Sequence, residues 1–162
     1  MRNLNDIRKP YKGFHTNNLL MLSFLMGTLD ILAAVLLTLY YGGDPIKMLG
    51  YIASGALGTK ALSGALYYVV IGLFFHYGIA FVWTVIFMWG YKKVPFLSQH
   101  RILTGMAYGL IIWSVMDLII IPLSLITPGP FNIARAITGA LILILAIGLP
   151  LSFITKNKFP KG

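Results

Sequence analysis

Residues 19–40 read LLMLSFLMGTLDILAAVLLTLY, and this one stretch decides the class of fold. A helix rises about 1.5 Å per residue and the hydrocarbon of a bilayer is about 30 Å thick, so roughly 20 apolar residues suffice to cross it. The stretch is that long, has no basic residue, and holds a single charge, Asp30, about halfway along. Working outward, three more runs reach the same length: Leu66 to Trp89, Ile102 to Ile126 and Phe131 to Ile154. The expected fold is therefore all-α, a polytopic membrane protein with spans at 19–40, 66–89, 102–126 and 131–154 in a single transmembrane domain over residues 19–154. Residues 1–18 read as a polar leader and residues 155–162 as a tail. The first run is too long for the core of a cleaved signal and reads as a permanent anchor.

Composition supports the same class. With 58% hydrophobic and 10% charged residues and a mean hydropathy of +0.83, a soluble domain of this size lacks polar surface to cover itself. The absence of cysteine excludes disulfides, thiol catalysis, iron–sulfur clusters and Cys-bound zinc.

Charge then orients the chain. Ten of the 13 Lys and Arg residues lie in one set of alternate segments: Arg2, Arg8, Lys9 and Lys12 before the first span, Lys92, Lys93 and Arg101 between the second and third, and Lys156, Lys158 and Lys161 after the fourth. Lys47, Lys60 and Arg135 fall on the other side. Basic loops stay cytoplasmic, so both termini are expected there. A net charge of +9 is of the sign that nucleic acid attracts, but basic residues placed beside spans are matched by anionic lipid headgroups, and no nucleic-acid partner is expected. Tyr40, Tyr41, Tyr67 and Tyr68 would mark the outer interface, Trp89 and Tyr91 the inner one.

Between the first two spans, Gly42-Gly43 breaks the helix, Asp44 is suited to cap a new one, and Pro45 fits its first position. A short interfacial helix is expected over residues 45–57, with Ser54 and Gly55 near its end. It would act as a plain strap or as a lid over a cavity open to the outer side. A weak internal repeat pairs Asp30, Asp44-Pro45 and Ser54 to Leu57 with Asp117, Gly129-Pro130 and Thr138 to Leu141, which would relate the halves by an axis along the membrane normal.

An ionised carboxylate at mid-span costs about 2.5 to 3.5 kcal/mol on insertion scales, so Asp30 needs a partner, water or a proton. Small and polar residues recur every three or four positions around it, at Ser23, Gly27, Ala34 and Thr38. The same spacing joins Gly72 to His76 and Thr84 on the second span, and Gly105 to Gly109, Trp113 and Asp117 on the third. Such faces pack against other helices, with Gly27, Gly72, Gly105 and Gly109 allowing close approach. Asp30, His76 and Asp117 are expected in one layer, within reach of Arg135 on the fourth span. Two pairs follow, Asp30 with His76 and Asp117 with Arg135, either fixing helix register or lining a polar path. A metal held by one His and two carboxylates is the weaker alternative, and no metal or cofactor is expected. Pro122 and Pro150, inside apolar runs, are expected to kink their helices.

Gly27-Thr28-Leu29-Asp30-Ile31-Leu32-Ala33-Ala34, Ile52-Ala53-Ser54-Gly55, the Gly72 to His76 segment, Tyr108-Gly109, Pro122-Leu123-Ser124 and Gly148-Leu149-Pro150 resemble a group of small four-helix bacterial inner-membrane proteins, loosely YagU-like. The resemblance runs from Gly27 onward and implies Asp30, His76 and Pro122 at motif positions; it brings no substrate or catalytic residue with it. The expected function is an inner-membrane pathway for protons, an ion or a small solute through the polar cluster. The alternative is an accessory or assembly subunit of a larger membrane complex, or a homo-oligomer, with the same residues fixing register. No nucleophile with a paired base is recognisable, so no enzyme is expected.

Overall fold

A computed structural model describes residues 16–126, 129 and 131–158, and among these there is no strand. Four helices are long and apolar enough to cross a membrane, over Asn18–Tyr40, Leu66–Lys93, Arg101–Leu123 and Ile133–Thr155. They indicate a membrane location.

Helix α1 (Thr16–Tyr40) is stopped by Gly42, whose φ of 69° lies in the left-handed region that a side chain disfavours. Helix α2 (Pro45–Leu57) then starts as its sequence predicts: the Asp44 carboxylate accepts the Ile46 N–H at 2.8 Å and Pro45 occupies the first turn. A 3₁₀ turn (Thr59–Ser63) folds back along α2, bringing the Ala61 carbonyl against Gly50. Helix α3 (Leu66–Lys93) is the longest and is followed by the short α4 (Pro95–Gln99).

The third and fourth spans are each built in three pieces. The third comprises α5 (Arg101–Val115), a π turn here called π1 (Met116–Ile120), and α6 (Ile121–Leu123). The fourth comprises α7 (Ile133–Leu143), the π turn π2 (Ile144–Gly148), and α8 (Leu149–Lys158). The kinks expected at Pro122 and Pro150 thus take the form of widened turns just before each proline. The third span leaves the helix at Ser124, whose backbone is extended, short of the expected limit at Ile126. The fourth begins at Ile133, two residues later than expected, where Asn132 caps it by accepting the Arg135 N–H.

The hydrophobic core occupies one end of the bundle. Leu22 and Met26 of α1, Phe87, Met88 and Tyr91 of α3, Ile112 of α5, Ile147 of π2 and Leu151 of α8 form a single buried cluster. Among the described residues, no such cluster lies at the end where α2 sits. There, Leu49 and Ala53 of α2 lie against Gly72 of α3, and the Leu125 N–H donates to the Gly55 carbonyl at 3.0 Å. Helix α2 therefore lies across that end, joining α3 to the close of the third span. The expected internal repeat is not matched element for element, because Ser54 to Leu57 sit in this cross-lying helix whereas Thr138 to Leu141 are part of a span.

Candidate functional site

Asp30 and His76 meet in the middle of α1 and α3. His76 Nε2 lies 2.8 Å from the Gly27 carbonyl oxygen. A carbonyl only accepts, so Nε2 carries the hydrogen and donates it to Gly27. Asp30 Oδ2 stands 3.9 Å from the same nitrogen, beyond hydrogen-bond reach. The side chains are 10% and 18% exposed, respectively.

The approach depends on Gly27. A Cβ there would lie 2.7 and 2.9 Å from two Tyr77 ring carbons, so no side chain fits without moving that ring. Tyr77 is held in turn by a face contact with Phe24, with centroids 5.2 Å apart, and by a 3.0 Å hydrogen bond between its hydroxyl and Thr28 Oγ1. Thr28 Oγ1 also reaches the Phe24 carbonyl. Tyr77 and Thr28 thus clamp the turn of α1 whose carbonyl receives the histidine. Tyr77 did not stand out in the sequence, and Thr28 did so only inside the Gly27 to Ala34 motif, because a Thr and a Tyr in apolar runs carry no chemical signature. Their placement beside the Gly27 and His76 positions was the only signal.

Asp117 and Arg135 do not join this pair. Asp117 is exposed and sits in π1, six residues before the end of its helix at Leu123. Among the described residues no group of three His, Cys, Asp or Glu side chains is close enough to hold an ion. Nor are Asp117 and Arg135 paired with each other. Arg135 is exposed and places its guanidinium carbon 6.0 Å from the Tyr41 ring instead. Asp117 acts on Tyr51 of α2, whose phenol is raised above its ordinary value by burial and then by that carboxylate.

The remaining predicted positions shape the packing. Ser54 is buried and its hydroxyl donates to the Tyr51 carbonyl at 2.7 Å, inside α2. A Cβ on Gly55 would make ordinary contact with Ile126 at 3.6 Å. Gly72 has no room for a side chain beneath the Leu49 carbonyl. A Cβ on Gly105 would come 2.8 Å from Leu149 Cα, and one on Gly109 2.5 Å from Ile144 Cα, so the third and fourth spans meet backbone to backbone. The Trp83 carbonyl accepts the Tyr108 hydroxyl. Trp113 rests its indole nitrogen over Gly139.

A depression of about 410 Å³ lies at the opposite end from α2, lined by Gln99, His100, Arg101, Ile102, Leu103 and Met106. Neither Asp30 nor His76 lines it. No family model matches the chain, and neither does any curated protein or solved structure.

Proposed function

We propose that this chain is a bacterial plasma-membrane protein with both termini in the cytoplasm, and that it conducts protons or a proton-coupled small solute through the Asp30 and His76 position. The observation that carries the reading is the asymmetry of the pair. A carboxylate kept only to fix helix register is expected to close onto its partner in a direct, charge-assisted hydrogen bond of about 2.7 to 2.9 Å. Here His76 gives its Nε2 hydrogen to Gly27 at 2.8 Å, while Asp30 waits at 3.9 Å. Asp30 makes no hydrogen bond among the described residues, yet it sits mid-span, where a fixed charge is costly. Reversible protonation of Asp30 removes that cost in one state and leaves a cation or proton acceptor in the other.

The chain needs no cofactor or catalysed reaction for this role, and anionic lipids would surround its basic end. The test is flux. Purified protein in vesicles with an entrapped pH-sensitive dye should dissipate an imposed proton gradient, and Asp30→Asn should abolish that flux while leaving the protein folded. Wild-type vesicles as tight as empty ones under every gradient and solute tried would reject the pathway and favour an accessory subunit.

A further inference from the structure

The third and fourth spans share a construction that the polar pair does not use. In each, a five-residue π turn ends two residues before a proline: Met116–Ile120 before Pro122, and Ile144–Gly148 before Pro150. Proline has no N–H and its ring crowds the carbonyl four residues back, here Leu118 and Ala146. Widening the preceding turn relieves that crowding at the expense of regular hydrogen bonding. Entry to each π turn is through a split bond: the Met116 N–H is shared by Ile112 and Trp113, and the Ile144 N–H by Ala140 and Leu141. Exit is by a five-residue reach, Ile121 to Met116 and Leu149 to Ile144.

Burial changes at these same points. On the third span Thr104, Gly105, Gly109 and Ile112 are buried, but nothing is buried in π1 or α6. On the fourth, α7 buries no residue, whereas Ala146, Ile147 and Gly148 of π2 are buried, as are Leu151, Ser152 and Thr155 beyond them. The buried halves are locked together by the Gly105 and Gly148 contact and by the Ser152 hydroxyl, which donates to the Arg101 carbonyl at 2.8 Å. Two helices therefore change from buried to exposed at the π turns that precede their prolines.

We infer that π1 and π2 are paired joints, on which α6 and α7 swing against a fixed lower bundle to open and close the end covered by α2. Asp117 lies in the first joint, so each swing re-aims its carboxylate. The Leu125 to Gly55 bond ties the end of α6 to α2, which Gly72 holds on α3, so a swing of α6 strains or breaks that bond. Motion at the joints does not depend on whether Asp30 carries protons, so a silent flux assay would leave it standing.

The chain has no cysteine, so spin labels can be placed at will. One pair, at Leu36 and Ile137, reads the α2 end; another, at Leu20 and Leu103, reads the fixed end; all four side chains are exposed. In lipid nanodiscs, pulsed electron paramagnetic resonance should give a distance distribution at least about twofold broader for the first pair. Pro122→Ala with Pro150→Ala restores the missing N–H groups and should bring the two widths together, and each single variant should narrow the first by a smaller amount. Equal widths in the wild type would overturn the joints. So would a broad first pair that none of the proline variants narrows.

Discussion

Two of the seams in this bundle are made of different materials. Between α1 and α3 the contact is made by side chains: His76 reaches the Gly27 carbonyl and the Tyr77 hydroxyl meets that of Thr28. Between the third and fourth spans it is backbone to backbone, with Gly105, Gly109 and Gly148 lying in each other's path. The second kind has no adjustable element, because any added atom meets a main chain. The first can be altered by one proton or one rotamer while the helices stay in place. A membrane bundle that must respond to something needs both, one seam to hold and one to change.

The largest expected effect therefore falls on the rigid seam. Gly109→Val should lower stability by about 3 kcal/mol, the upper end for overpacking, read as thermal unfolding in detergent. Gly78→Val is the matched control, since nothing lies within 4 Å of the position where its Cβ would be. Equal losses at the two sites would erase the distinction between the seams.

Next comes the adjustable seam. His76→Leu removes a buried donor and leaves the Gly27 carbonyl without its side-chain partner, an expected loss of about 1 to 3 kcal/mol. Asp30→Asn should behave oppositely, with stability unchanged or raised, because it removes a mid-span charge that has no direct hydrogen bond. A loss from Asp30→Asn as large as that from His76→Leu would recast the two as a structural pair.

A smaller effect is expected from Tyr77→Phe, which deletes only the bond to Thr28. Hydrogen bonds between membrane helices average about 0.6 kcal/mol in mutant cycles, and the loss should be of that order. The smallest is a coupling near zero. Asp117→Asn and Arg135→Gln should be additive within about 0.3 to 0.5 kcal/mol, the scatter for independent sites. A larger coupling energy would bring back the ion pair that spacing alone suggested.

Hydropathy and punctuation made most of the fold legible. Runs of about 20 apolar residues announced the spans, and Asp44 with Pro45 announced α2, because a capping carboxylate and a proline act within one turn of chain. The meeting of Asp30 with His76 was also legible, from equal depth on small-residue faces. What the sequence could not reveal was the hydrogen-bond partner of His76, since a backbone carbonyl is present at every position and carries no letter of its own. Asp117 and Arg135 misled for a related reason. The charges were opposite and Arg135 was long enough to reach down from its shallower position, but its guanidinium lies beside the Tyr41 ring instead. The prolines signalled irregularity without saying that it would take the form of two π turns at the same offset.

The single backbone bond from Leu125 to Gly55 also has a bearing on how the protein is made. Its acceptor leaves the ribosome with α2, before α3 has been synthesised, and its donor follows only after two more spans have been threaded. Through that interval α2 has its contacts with α1 and α3 but no third anchor. The bond can therefore form only once the third span has been made, which leaves α2 the element whose contacts are completed latest among the first three spans.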